Sequence, residues 1–377
     1  MHNYNAKALA LHKKFHGKLS IESKVDLDSK EALSIAYTPG VAQVCKAISK
    51  DKKLAREYTI KRNTIAIVSD GSAILGLGNL GPLAAIPVME GKAALFKKFA
   101  NVDAFPICLD TQDAEEIIKT VKYIAPIFGG INLEDISAPR CFEIEKRLRK
   151  ELDIPVFHDD QHGTAIVVLA GLINALNVRG TKNEPRIVVN GAGAAGISIT
   201  DLLLKNGFKD ITVCDSKGVI HESRIGLNSQ KRLIAKKTNS HSLRGLLKDA
   251  IAEADIFIGV SAKNVLTESM VRSMNQNPII FAMANPDPEI LPDNALRAGA
   301  LIAATGRSDY PNQINNVIAF PGVFRGALDN QIRDITDSML IKAAKNLAHC
   351  VTKPSKNNIL PKPFDSQSVR AVARAMR

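Results

Sequence analysis

A chain of 377 residues with 45% hydrophobic and 23% charged side chains has a globular composition long enough for two domains. Its net charge of +12 raises nucleic acid as a partner, but with no tryptophan, 5% aromatics and no run interleaving basic with stacking residues, none is expected; the excess reads as a solvated basic surface that can attract an anionic substrate. The longest apolar run, Ala165 to Leu176, is short of the ~20 residues of a membrane span, and five cysteines with no CxxC pair suggest neither a disulfide framework nor a thiolate zinc site, which fits a reducing cytoplasm.

The N-terminus, MHNYNAKALALHKKFHGKL, lacks the apolar core of a secretory signal and the arginine and serine of a transit peptide, so it reads as part of the fold. Tyr37 in AYTPGV precedes a Pro-Gly turn that would fix its phenol at an element end. From Asn63 to Ile107, two β-like runs, TIAIVSD and DAFPICL, flank a glycine-rich loop and the helix-like GKAALFKKFA, so the first domain is α/β. Lys92 stands at the start of that helix beside small apolar residues, whereas Lys97 and Lys98 read as solvated. A buried lysine next to a dication can fall from ~10.4 toward ~7–8 and act as a general base.

The loop GGINLEDISAPR supplies Glu134 and Asp135, whose successive side chains can converge only if the backbone departs from a regular strand. With Asp160 they form a set of three carboxylates and no thiolate, suited to Mg²⁺ or Mn²⁺, although each acid alone would pass for a cap or a surface group. The stretch PVFHDDQHGTA nearly matches the HExxH zinc-peptidase helix. That helix must carry both histidines on one face, yet Pro155 precedes His158, Gly163 follows His162 and the basic glutamate is missing. IPVF reads instead as a strand entering a turn, with His158 and His162 in supporting roles.

Beyond Arg186, short apolar runs alternate with helical stretches: RIVVN, ISITDLLLKNGF, ITVCD, DIFIGV, PIIFAMAN and ALIAATG. This is a parallel sheet covered on both faces, a second domain from about Gly163 to Gln331. RIVVNGAGAAG puts Gly191, Gly193 and Gly196 in GxGxxG spacing between a strand and a helix, and Asp215 closes the next strand. In that context the glycines admit a pyrophosphate at the helix N-terminus, and Asp215 is placed to meet an adenosine ribose, with Ser216 and Lys217 beside it able to accept a 2′-phosphate instead. NAD and NADP both stay open. After Gln331 the pattern ITDSMLIKAAKNLAHCV is helical and is expected to pack back on the first domain, leaving a cleft.

Seven blocks in order, AYTPGV, ILGLGNLGPLAAIPVMEGKAALFKKF, NLEDI, FHDDQHGTA, VVNGAGAAG, ANPDPE and NNVIAFPG, resemble the malic enzyme family in its short bacterial form, over nearly the whole chain. The resemblance implies an N-terminal substrate and metal domain over residues 1–162, a Rossmann-type doubly wound dinucleotide domain over 163–331 and a returning helical segment over 332–377. It implies Tyr37 as general acid, Lys92 as general base, and Glu134, Asp135 and Asp160 as metal ligands. Thr164 and the segment Gly193, Ala194, Ala195 and Gly196 would approach the cofactor, and Asn285 and Asn316 would contact cofactor or substrate. The activity implied is oxidative decarboxylation of L-malate through oxaloacetate to pyruvate and CO₂, in a cytoplasmic homodimer or larger homo-oligomer. A malolactic enzyme releasing lactate and a catalytically silent dinucleotide-binding regulator are the alternatives. Large eukaryotic members carry an arginine where this chain has Ala73, so another group must meet the malate carboxylate. The phosphotransacetylase-like domain appended in some bacterial members is expected to be absent, since the sequence ends at Arg377.

Overall fold

The computed structural model describes residues 4–180 and 183–377. The chain begins with an arm of four helices, α1 (Tyr4–Phe15), α2 (Lys30–Ala36), α3 (Val41–Lys50) and α4 (Leu54–Tyr58), none of which buries a single residue.

Two parallel sheets follow. The first holds β1 (Thr64–Ser69), β2 (Asp103–Cys108), β3 (Gly130–Leu133) and β4 (Val156–His158) in the order β2-β1-β3-β4. The β-branched runs TIAIVS and GINL are buried at every position, as a strand covered on both faces must be. Pro106 has no N–H for a ladder, and β2 tolerates it because it is the edge strand. The strands are linked by α5 (Pro82–Ala100), α6 (Ala114–Ile124) and α7 (Arg140–Glu151).

The sequence reading places Lys92 at a helix start, and the structure corrects this. Helix α5 begins at Pro82, a residue pre-set for the first helical position, and runs on through Pro87 and Gly91, so Lys92 lies in its interior.

From β4 the chain makes one wide π turn, Asp159–Gly163, directly into α8 (Thr164–Arg179). Helix α8 is apolar on all sides and buried from Ala165 to Leu172, the pattern of a central helix. By length and composition Asp159–Arg179 could cross a membrane, but most of it is packed inside this fold.

The second sheet contains β5 (Ile187–Asn190), β6 (Ile211–Asp215), β7 (Gly218–Val219), β8 (Ile256–Gly259), β9 (Ile279–Ala282) and β10 (Ile302–Thr305) in the order β10-β9-β8-β5-β6-β7. Only the β6–β7 pair is antiparallel. Its helices are α9 (Ala194–Lys205), α10 (Ser229–Ala235), α11 (Leu247–Ile251), α12 (Glu268–Arg272) and α13 (Pro292–Arg297). The strand order reverses at β5, and such a switch point opens a crevice at the C-terminal strand ends, where doubly wound sheets bind their ligands.

Three helices complete the chain: α14 (Phe320–Asp329), α15 (Asp337–His349) and α16 (Ser366–Ala373). Helix α15 lies along α8, while α16 packs on α14 and touches α5. One apolar core therefore runs from Ile67 and Met89 through α8 to Ile258, Phe281 and Leu347, joining the two sheets.

Candidate active site

The register of the first sheet builds the site. In the β3–β4 pair Leu133 lies beside His158, so the residues that follow each strand, Glu134 and Asp159, emerge together at the C-terminal edge. Asp135 adopts a left-handed backbone, φ 53°, which lets Glu134 and Asp135 turn toward one point rather than to opposite faces. The π turn adds Asp160, helix α5 brings in Lys92, and Asn316 arrives from the short turn Asn316–Ile318 before α14.

These groups form one network. Lys92 Nζ donates to Glu134 Oε1 and Asp159 Oδ2, and it lies 4.5 Å from the centre of the Phe320 ring. Asn316 Nδ2 donates to Asp159 Oδ2 at 2.6 Å, Asn132 Nδ2 to Glu134 Oε2 at 2.9 Å, and the Asp135 N–H to Asp160 Oδ2 at 2.9 Å. A side chain at Gly163 would collide with the Asp159 carboxylate, so this approach requires glycine.

Acids outnumber the cation, and the electrostatics follow. Burial, then the charges of Asp160 and Glu134, push the Asp135 carboxyl up to about 9. Burial together with Glu134 pushes Asp159 up to about 8 even beside Lys92. Burial also raises Glu134 and Asp160. Lys92 is buried as the sequence reading requires, but its ammonium is not depressed: burial alone would lower it, and Asp159, Glu134 and Asp160 together outweigh that and raise it. Among four carboxylates the charged amine is the favoured form, so the expected fall needs a competing cation at the acids.

Glu134, Asp135 and Asp160 offer one oxygen each within 4.8 Å of one another, and Asp135 Oδ2 is buried without a partner. Clustered, desolvated carboxylate oxygens with an unmet acceptor suit a hard divalent ion. His158 lies in β4 rather than on a helix with His162, so the two cannot share a zinc-peptidase face. Burial holds the His158 ring down to about 4, neutral, while His162 Nε2 sits 2.8 Å from Glu145.

In the second sheet, the fingerprint loop joins β5 to α9. A Cβ on Gly191 would come 2.5 Å from the Val260 carbonyl, whereas one on Gly193 would meet nothing within 4 Å. The N-terminal end of α9 is therefore open at Gly193, with Ala194 and Ala195 half-buried beside it, while Gly196 is buried against the Gly191 carbonyl and lets helix and loop approach closely; a pyrophosphate can enter at Gly193. Thr164 opens α8 directly after the π turn. Asn285 is exposed on its loop, and its carbonyl oxygen would lie 2.7 Å from a Cβ on Gly76, so the ILGLG loop meets the dinucleotide domain at that point. Asp215 accepts from Arg224 and Lys231, each at 2.6 Å, and from the Lys217 N–H at 2.9 Å.

The structure thus unites Lys92, Glu134, Asp135, Asp160 and Asn316, and it packs α9, the helix after the glycine loop, against the π turn that carries Asp160. It does not bring Tyr37 to them: the residue caps α2 and is 68% exposed. Sequence reasoning passed over Asp159, which binds the Lys92 amine, and over Arg224 and Lys231, which flank Asp215. Only the adjacency of Asp159 to Asp160, followed by Gly163, could have pointed to the first.

The chain is similar to known proteins over nearly its whole length. Residues 16–149 match the family described as malic enzyme, N-terminal domain, and residues 161–376 match malic enzyme, NAD binding domain. A bifunctional malic/malolactic enzyme of Bacillus subtilis (strain 168) is 56% identical over 98% of this chain and 91% of its own. An NAD-dependent malic enzyme of Geobacillus stearothermophilus is 57% identical over 96% of this chain and 76% of its own. The crystal structure of an NAD-dependent malic enzyme from Thermotoga maritima superposes with a TM-score of 0.95 at 49% identity, covering 98% of both chains.

Proposed function

The chain belongs to the malic enzyme family, and from that premise we propose that Lys92 is the general base of its reaction, Tyr37 the general acid, and Glu134, Asp135 and Asp160 the ligands of Mg²⁺ or Mn²⁺. The reaction is the oxidative decarboxylation of L-malate to pyruvate and CO₂ with reduction of NAD or NADP. The observation that carries the assignment of roles is the buried Lys92 amine held among Glu134, Asp159 and Asp160 at the strand ends.

When bound, the metal would supply positive charge at the malate C2 oxygen and the dinucleotide an acceptor for the C2 hydride. The chain supplies the rest. In its neutral form the Lys92 amine would take the proton of the C2 hydroxyl, and a cation held by Glu134, Asp135 and Asp160 would favour that form. Asp159 positions that amine, Asn316 fixes Asp159 in turn, and the Phe320 ring covers the amine. After the C4 carboxylate leaves as CO₂, Tyr37 returns a proton to C3.

Cofactor contacts are assigned to Thr164, Gly191, Gly193, Ala194, Ala195, Gly196, Asp215 and Asn285, and substrate contacts to Lys92, Asn285 and Asn316. The supporting features are the open loop at Gly193 and the Asn316 bond to Asp159. Arg224 and Lys231 already neutralise Asp215, which favours tolerance of a 2′-phosphate and hence use of either cofactor. The proposed domains are residues 1–162, 163–331 and 332–377, the assembly a homodimer or larger homo-oligomer and the location cytoplasmic, a reading supported by five free cysteines.

The test is the initial rate of nicotinamide reduction with L-malate and Mn²⁺, run with NAD and with NADP, with pyruvate, lactate and CO₂ assayed. Reduced cofactor matched by pyruvate and CO₂ is expected; no malate turnover with either cofactor would overturn the reading. The relative named a bifunctional malic/malolactic enzyme favours a second activity, lactate release without net reduction. The lactate assay detects it.

A further inference from the structure

We propose that Arg307 is the receptor for the C1 carboxylate of malate, the one that pyruvate retains. The proposal rests on the malate-oxidising reading above, and the experiment below separates the two.

The charge balance of the site asks for such a group. Glu134, Asp135, Asp159 and Asp160 face one ammonium, Lys92, so the pocket stays net negative even with a bound dication, while malate brings two further carboxylates. The loop beside the acids supplies no cation: from Asp70 to Gly91 the chain has neither lysine nor arginine. Arg140 stands at a strand end of the first sheet, but it is committed to the fully buried Asp70, which it bonds at 2.7 and 3.2 Å.

The second sheet brings Arg307 to the same place. In the β9–β10 pair Ala282 lies beside Thr305, so Asn285 and Arg307 both follow their strands at the C-terminal edge. A Cβ on Gly306 would lie 3.2 Å from Asn285 Oδ1, and one on Gly76 would lie 2.7 Å from the Asn285 carbonyl oxygen. The Leu75 backbone, next to Gly76, donates to the Asp135 carboxylate. Short contacts therefore run from the acid cluster through Asn285 to the residue before Arg307. The loop is pinned back on its strand, with the Ile314 N–H donating to the Thr305 carbonyl at 2.8 Å and Gln313 Nε2 to the Gly306 carbonyl at 3.2 Å. It then delivers Asn316 to Asp159.

The side chain is prepared for a carboxylate. Arg307 Nε and Nη2 donate to Asp309 at 2.9 and 2.7 Å, and the guanidinium lies 5.6 Å from the centre of the Tyr310 ring. The other edge of the fork, at Nη1, has no hydrogen-bond partner among the described residues. A guanidinium held on one edge and free on the other is set for a bidentate carboxylate. Beyond Asp309, Asp287 acts on the same charge, and Lys263 faces Asp287 at 3.8 Å, so the acids of this rim have their own cations. The chemistry selects which carboxylate is held. Loss of C4 as neutral CO₂ leaves the C3–C4 electron pair on C3, and a guanidinium on that carboxylate would oppose the loss of its charge. The C1 carboxylate stays ionised from malate to pyruvate, so a cation there opposes no step.

The test compares wild type, Arg307→Gln, Arg307→Lys and Arg140→Gln as full chains with Mn²⁺ and the preferred nicotinamide cofactor. Arg307→Gln is expected to raise the KM for L-malate about 30-fold with kcat within about threefold of wild type, the pattern of a contact made equally before and during the reaction. Arg307→Lys should recover part of that loss. Calorimetry with Mn²⁺ and reduced cofactor should show oxalate, a stand-in for the C1 end of the enolate, weakened by a similar factor. Cofactor affinity should stay within about twofold and the melting temperature unchanged, since the Arg307–Asp309 pair is a surface pair. An unchanged malate KM in Arg307→Gln, or a loss confined to cofactor affinity, would overturn the proposal. A malate KM raised by Arg140→Gln and not by Arg307→Gln would overturn it too. A wild-type chain that turns over no malate would overturn the reaction assigned above, and the oxalate titrations would still decide the contact.

Discussion

Lys92 and Tyr37 are assigned to one reaction, yet they occupy opposite environments. Lys92 is 7% exposed, fixed by two carboxylates and an aromatic ring, and every one of those partners comes from its own chain. Tyr37 is 68% exposed on an arm whose helices bury nothing. One side of the site is finished when the monomer folds. The other is left exposed, with Leu33, Ile35 and Tyr37 all at the surface.

The sharpest way to probe the finished side is Lys92→Ala. Loss of the base is expected to lower malate turnover by about 10³-fold, with dinucleotide affinity nearly unchanged because the fingerprint loop belongs to the second sheet and is not among the partners of Lys92. Titration of the reduced cofactor against kcat checks both parts. Turnover near wild type would mean that Lys92 only balances the acids around it.

Gly193→Val addresses the dinucleotide side, which the monomer also completes. No chain atom lies within 4 Å of a Cβ added at Gly193, so the melting temperature should hold while the KM for NAD or NADP rises by about tenfold or more. A variant that binds cofactor normally would contradict the pyrophosphate position. A variant that melts early would show that the loop is held by packing not visible at that atom.

The smallest effect concerns the charge frustration of the acid cluster. Asp135 at about 9 and Asp159 at about 8 in the folded chain stand well above an unfolded carboxyl near ~3.9. The folded state thus binds more protons than the unfolded state through that window, and its stability falls as pH rises from about 4 to about 9. The metal-free protein is expected to lose roughly 5 °C of melting temperature between about pH 5 and about pH 8, and saturating Mn²⁺ should remove most of that slope. A metal-free profile that is flat or rises with pH would mean that these acids are not ionising against each other.

Much of the architecture was legible in the residues. The buried runs TIAIVS, IVVN and ITVCD announced parallel strands because such strands need no polar face, and GAGAAG announced its turn because the signal is local. Glu134, Asp135 and Asp160 could be grouped as three carboxylates without a thiolate, but singly each passed for a cap or surface group, and the family resemblance was needed to give them a ligand role; the structure brings their oxygens within 4.8 Å of one another. The start of α5 was misplaced because Pro82 can open a helix as readily as end one. Asp159 was missed because its meeting with Lys92 depends on the β3–β4 register, which no window of sequence contains.

The sequence by itself determined which segments could be strands and helices, where backbone could admit a phosphate, and which side chains had the chemistry for a dication and a proton. Those properties belong to single residues and their near neighbours. The tertiary structure alone decided that residues 92, 132, 134, 135, 159, 160 and 316 meet at one edge, that the Lys92 ammonium is raised rather than lowered, and that Tyr37 is left outside. Burial and Coulomb interactions depend on distance through space, and only the folded chain sets those distances.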